Sequence, residues 1–226
     1  MNKTIYKLLI VYWDALLASS IAFAFILLFT KHSGIGISPD SVKYLSAANN
    51  IATHFSFTDY TNTPFVLFPL GYPIFLAIIQ LLFTTSLIHI IPFINGFVFA
   101  GIIFITAYIL RQISPEKKTI KCLVLLLIAT SPALLEIYTM SWSETLFIFF
   151  TLLFFISINK YAAQNNFKYL LLSATVASFA FLTRYAGITC LITGFVFILT
   201  NRRLLLSKKN NSFCLFWYCW GFIAFN

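Results

Sequence analysis

Arg184, in Leu182-Thr183-Arg184-Tyr185-Ala186-Gly187, is the only cation outside the basic loops that separate the apolar runs and the first long polar loop. A guanidinium at headgroup level matches a phosphate with two parallel hydrogen bonds, so a lipid phosphate is a natural ligand; the alternative is snorkelling towards ordinary phospholipid headgroups. Asp40, one of six acidic residues in the chain, lies in Ser38-Pro39-Asp40-Ser41-Val42-Lys43-Tyr44, just after a long apolar run. Ser38 can cap a helix whose first turn takes Pro39 and Asp40 and which runs to about Thr53. On it Asp40, Lys43, Tyr44, Ala47, Ala48 and Ile51 share one face by three- and four-residue spacing. Asp40 then points from the helix start into the outer space, or does no more than stabilise that helix end. Glu144, in Ser141-Trp142-Ser143-Glu144-Thr145-Leu146-Phe147, begins another apolar run, and Glu136 ends the one before it. Its alternative is a cap shared with Ser141 in the Ser-x-x-Glu pattern.

The remaining polar groups point to less. Asp14, inside the first apolar run, reads as a packing or hydrogen-bonding residue near the inner leaflet. Asp59 reads as a solvated loop carboxylate. His32, His54 and His89 lack ligand spacing and give no zinc site. Cys122, Cys190, Cys214 and Cys219 lie in or beside apolar stretches and read as small buried hydrophobes.

What must position these residues is a membrane bundle. Apolar residues make up 60% of the chain and charged residues 9%, in long runs rather than amphipathic stripes. The net charge of +9 comes from short loops between the runs, where Lys and Arg act as topology signals and not as a nucleic-acid surface. The first run continues to Thr30, too long for a cleaved leader, and reads as an uncleaved anchor.

The clear spans are Leu8 to Thr30, Ile88 to Leu110, Ile120 to Tyr138, and Ser141 to Ile158. The positive-inside rule puts Lys3 and Lys7 and the basic loops at 111–121, 160–168 and 202–209 in the cytoplasm, so an even number of crossings separates any two of them. Residues 66–83, interrupted by Pro69, Gly71 and Pro73, should then lie along the outer surface as an interfacial helix. Residues 169–200 should form a hairpin turning at Arg184, with arms Tyr169 to Thr183 and Tyr185 to Thr200. One continuous helix would put Arg184 at the bilayer centre, at a cost of several kcal/mol. A seventh span begins near Phe213 and stops at Asn226 before about 20 residues accumulate, so the chain reads as truncated at its C-terminus. The expected fold is an all-α polytopic bundle, residues 1–226 as one module, with about six complete transmembrane helices and the start of a seventh. Residues 31–87 form a long outer loop carrying juxtamembrane helices, and Asp40, Glu144 and Arg184 share one pocket at the outer leaflet.

An inside-to-outside span is followed by a loop opening with Pro39-Asp40-Ser41-x-x-Tyr44-x-x-Ala47, then by Phe68-Pro69-Leu70-Gly71-Tyr72-Pro73 before an apolar helix. With Ser143-Glu144-Thr145-Leu146-Phe147 and the Arg184 segment in that order, the chain resembles the GT-C superfamily of integral-membrane glycosyltransferases, of the protein mannosyltransferase and aminoarabinose transferase type. The resemblance implies a sugar donor carried on polyprenyl phosphate and a hydroxyl acceptor that is a protein, lipid or glycan. It gives Asp40 the role of general base and Glu144 that of orienting a substrate; Arg184, with Tyr44 and Lys43, would bind the lipid phosphate. It places the protein in a bacterial inner membrane with the N-terminus inside. Many relatives carry paired acidic residues in the first loop, whereas here Asp59 is the only companion for Asp40. Use of a divalent cation stays open, because one loop carboxylate does not define a site.

Two readings from other classes remain. A solute transporter would need an inverted repeat or a chain of ionisable groups across the membrane, and only Asp14 lies on such a path. A non-catalytic lipid-binding or assembly subunit would tolerate loss of Asp40 but not of Arg184.

Overall fold

A computed structural model describes residues 3–83 and 85–200. The expected span near Phe213, the basic loop at 202–209, Cys214 and Cys219 lie outside these residues. In chain order the helices are α1 (Lys3–Thr30), α2 (Pro39–His54), α3 (Gly71–Leu82), α4 (Leu87–Ile113) and α5 (Lys118–Ala129). They continue with α6 (Pro132–Thr139), α7 (Glu144–Gln164), α8 (Phe167–Thr183), a short 3-10 turn (Tyr185–Gly187) and α9 (Ile188–Thr200). Among the described residues there is no strand, only isolated bridges such as Gly36 to Met140.

Three helices are long and apolar enough to cross a bilayer: α1 over Tyr12–Thr30, α4 and α7. The α5–α6 pair makes a fourth if its two bent halves count as one span. The expectation of about six complete spans is therefore corrected to three or four among the described residues. The Arg184 turn forms where expected, and its arms are short, as the lengths of the two apolar runs imply. At about 1.5 Å per residue, the 17 residues of α8 cover roughly 26 Å and the 13 of α9 roughly 20 Å, against the roughly 30 Å of a hydrocarbon core. The expected continuous span from Ile120 to Tyr138 is also corrected, because its halves bend by 48°. Pro132 supplies no amide proton, and Ser131 before it is extended at φ −62° and ψ 117°, so the ladder stops at Thr130 and restarts. As expected, α3 is too short to cross, with 12 residues.

Three apolar clusters hold the bundle together. One joins α1, α4, α5 and α6 around Ile26, Phe99, Ile103 and Tyr138. A second packs α8 and α9 on α7 through Phe154, Ala177 and Ala180. The third seats α2 and α3 over one end of the bundle through Tyr44, Ala47, Ala48, Tyr72 and Leu76. The small alanines of α2 let it lie close to α3 and remain fully buried. Between α1 and α4, Ser19 donates to the Ala100 carbonyl at 2.9 Å. A side chain on Gly96 would come within 2.8 Å of the Phe23 ring, so glycine lets these helices touch.

The far end of the bundle is basic. Asp14, expected to hydrogen-bond Tyr12 or another polar neighbour, is instead ion-paired with Lys121 at the start of α5. Arg111 lies 5.0 Å over the Tyr12 ring, where α1 leaves helical geometry at φ −118° and ψ 16°. Lys160 sits 5.4 Å from the Tyr108 ring and 5.6 Å from that of Tyr169. Cys190 is buried as expected, but Cys122 is exposed on α5, which corrects that reading.

Removing one member of the Asp14–Lys121 pair strands the other in a largely apolar setting, so Lys121→Leu should destabilise the protein by about 3 kcal/mol. Adding Asp14→Leu should restore most of that loss, which thermal unfolding of the purified chain in detergent will read.

Candidate functional site

The end of the bundle opposite the basic residues is built around the link between α6 and α7. Its backbone is held from two directions. Buried Asn95, in α4, donates through Nδ2 to the carbonyls of Tyr138 at 3.0 Å and Met140 at 2.9 Å. Gly36, after α1, donates its amide to the Thr139 carbonyl at 2.7 Å and accepts from the Ser141 amide at 3.0 Å. A Cβ at Gly36 would displace the Met140 side chain and sit 3.2 Å from the Thr139 carbonyl oxygen, so the absence of a side chain eases this close approach. The stacked rings of Phe99 and Tyr138, 4.6 Å apart, brace the same link, and the Tyr138 hydroxyl donates to the Thr145 carbonyl at 3.1 Å.

This link carries the side chains that organise the site. Trp142 donates its indole N–H to Ser38 Oγ at 2.8 Å, tying the start of α2 to the start of α7. Ser38 caps α2 as expected, with Pro39 and Asp40 in the first turn. The reciprocal partner in the capping box is Ser41 rather than an acidic residue. Ser141 shares a 3.3 Å hydrogen bond with the Tyr72 hydroxyl, and Ser143 shares one of the same length with the Tyr44 hydroxyl. The tyrosine rings meet edge to face, 5.1 Å apart. The Ser-x-x-Glu cap weighed for Glu144 does not form: α7 starts from Ser143 with no side-chain cap, and Ser141 is engaged with Tyr72.

Glu144 is instead ion-paired with Arg184, and Ser143 Oγ donates to its other oxygen at 3.4 Å. Arg184 leaves α8 in an extended conformation, φ −148° and ψ 141°. The turn it begins is docked on the loop before α3. The Tyr185 hydroxyl donates to the Val66 carbonyl at 3.3 Å, and a Cβ on Gly71 would lie 2.5 Å from the Leu182 carbonyl oxygen. Side-chain exposures of 38% for Arg184 and 30% for Glu144 leave the pair reachable from outside the protein. A guanidinium has five N–H donors, so Arg184 retains donors beyond those facing Glu144.

Asp40 is exposed at the start of α2 and, among the described residues, makes no ion pair. Burial pushes the Tyr44 phenol above its ordinary range; the Ser143 hydrogen bond opposes that rise, the carboxylates of Glu144 and Asp40 add to it, and Arg184 opposes it. Tyr44 is thus a neutral phenol within electrostatic reach of all three charged residues. Tyr72 is shifted upward by burial in the same way. Lys43 is half-buried on α2 and stands outside the ion pair. Asp59 is remote in role: hydrogen bonds from the Thr61 hydroxyl and amide lower its pKa within its own loop. Among the described residues no three His, Cys, Asp or Glu side chains gather as a metal site.

The sequence reading missed Asn95, Trp142, Ser141 and Ser143 as organisers of this end. Asn95 had a signal, an amide inside an otherwise apolar span, where a polar group demands a partner. The serines had none beyond their place beside Glu144. Compared with known proteins, the chain matches no family model, no curated protein and no solved structure.

Glu144→Gln and Arg184→Gln, singly and together, should show a coupling of about 1 kcal/mol in unfolding free energy, as expected of a half-exposed ion pair. The double-mutant cycle measures that term directly.

Proposed function

We propose that the chain belongs to a membrane glycosyltransferase that moves a sugar from a polyprenyl-phosphate donor to a hydroxyl acceptor, in the manner of the GT-C superfamily. The observation that carries this reading is that the Glu144–Arg184 pair is linked through Ser143 to the buried Tyr44 phenol, within electrostatic reach of which Asp40 also stands, although these residues belong to α2, α7 and the turn after α8. Phosphate-binding and proton-accepting groups therefore stand at one end of the bundle, beside helices able to cross a bilayer.

In the reaction proposed, the acceptor oxygen attacks the anomeric carbon of the sugar as its bond to the phosphate oxygen breaks. The bonding pair leaves with the phosphate, and the acceptor proton passes to the Asp40 carboxylate. Arg184 faces the charge that grows on the leaving phosphate, where a guanidinium stabilises the transition state more than the ground state. Glu144 positions that guanidinium. The Tyr44 phenol, kept protonated by burial, offers a neutral hydrogen bond to a phosphate or sugar oxygen. Lys43 lies on the same helix for a second phosphate oxygen. Chemistry at the α2 end then faces the outer side of a bacterial inner membrane, because Arg111, Lys117, Lys118, Lys121, Lys160 and Lys168 lie at the α4–α5 and α7–α8 connections and the helix ends beside them, which the positive-inside rule keeps in the cytoplasm.

A non-catalytic lipid-phosphate-binding subunit is the second reading, favoured by the exposure of Asp40 and the ion pair that already engages Arg184. The two separate on one substitution. In a membrane assay with a labelled polyprenyl-phosphate sugar, Asp40→Asn should lower transfer by about 10²- to 10⁴-fold while leaving the melting temperature unchanged. Transfer at the wild-type rate would remove Asp40 as the base, and retained donor binding without any transfer by the wild type would favour the subunit.

A further inference from the structure

A groove of about 830 Å³ opens between α1 and α4 at the same end of the bundle, away from the Arg184 pair. Residues of α1, of the segment after it and of α4 form its walls. The two helices are pressed together where Gly96 meets Phe23, with the Phe23 and Phe97 rings 4.7 Å apart. One turn nearer the helix end, Pro92 removes one amide donor from the ladder of α4 and lines the groove. The lower walls are apolar, formed by Phe23, Ala24, Leu27, Leu28, Pro92 and Phe93. Leu28 and Phe93 are more than half exposed, an arrangement that suits hydrocarbon and not water.

The mouth has the opposite character. Lys31, His32 and His89 line it with Thr30 and Ser33, and no acidic residue lines the groove. Gly34, at φ +71°, turns the chain after α1 so that this basic segment runs across the opening towards Ile88. All three basic side chains are exposed. The positive first turn of α4 begins at Leu87 beside them, and Ser86 before it makes no side-chain cap. An apolar slot at the end of two spanning helices, topped by the Lys31 ammonium and the N–H groups of two imidazoles, is complementary to one kind of molecule: a hydrocarbon chain ending in a phosphate at headgroup depth.

We infer that this groove binds an anionic membrane phospholipid, with its phosphate on Lys31, His32 and His89 and an acyl chain along the α1–α4 cleft. The site is separate from the donor phosphate assigned to Arg184 and does not depend on sugar transfer. A lipid held there ties the loop after α1 to the start of α4, and so steadies the segment that carries Gly36 into the α6–α7 link.

The test uses the full chain in detergent, titrated with dioleoyl phosphatidylglycerol, dioleoyl phosphatidylcholine or inorganic phosphate and read by native mass spectrometry. Phosphatidylglycerol should bind about tenfold more tightly than phosphatidylcholine. The preference should vanish in the Lys31→Gln/His32→Gln/His89→Gln variant, weaken in Lys31→Gln alone, and persist in Lys117→Gln/Lys118→Gln at the basic end. Millimolar inorganic phosphate should leave the lipid bound. Equal binding of both lipids, an undiminished preference in the triple variant, or displacement by phosphate alone would overturn the assignment. All three substituted side chains are exposed, and a melting curve of each variant verifies its fold.

Discussion

A backbone carbonyl left without a donor in a low-dielectric interior costs more than most single contacts return, and this chain places several such carbonyls where α6 ends and α7 begins. The Asn95 amide reaches across from α4 to satisfy two of them. Gly36 completes the pairing from the other side, where the Met140 side chain packs against its bare Cα. Everything at that end of the bundle hangs from the link so fixed. Trp142 sets where α2 starts, the two serines set the tyrosine hydroxyls, and Glu144 sets the guanidinium of Arg184. The polar groups are joined in sequence, each fixing the next, so a displacement at Asn95 would reach Arg184 without any direct contact between them.

Charge is divided between the two ends of the bundle. Lys121, Arg111 and Lys160 are engaged at one end, with a carboxylate or with tyrosine faces. At the other end Arg184 is balanced by a single glutamate, and Asp40 stands unbalanced at a helix start. The first arrangement holds its cations against one carboxylate and tyrosine faces; the second leaves the Arg184–Glu144 pair partly exposed and Asp40 exposed at the start of α2.

Much of the helical plan was legible because hydropathy and proline are local signals. The spans ending at Thr30, beginning near Ile88 and beginning near Ser141 were each found within a few residues, as were the Ser38 cap and the Arg184 turn. The count of spans was not legible, because charge parity constrains only whether crossings are odd or even. It cannot report that α8 and α9 are too short to reach across, or that the Pro132 break bends a nominal span by 48°. The partners of Asp14 and Glu144 were hidden for a different reason. Lys121 and Arg184 are distant in sequence, and only the packing of α1 on α5 and of α7 on α8 brings them to the carboxylates. That Asp40 and Arg184 occupy one end followed from topology; that Tyr44 lies between them did not.

The hydrogen bond from Trp142 to Ser38 joins residues separated by 104 positions, and Arg184 comes later still. On a ribosome that adds roughly 5–20 residues per second, the loop after α1 emerges on the order of ten seconds before the guanidinium that completes the cluster. For the first part of that interval α2 lacks the indole that anchors its first turn, and to its end it lacks the guanidinium that pairs with Glu144. Nascent chains must therefore keep residues 31–87 in a provisional state at the bilayer surface, where a translocon partner or chaperone would have its best opportunity to hold them.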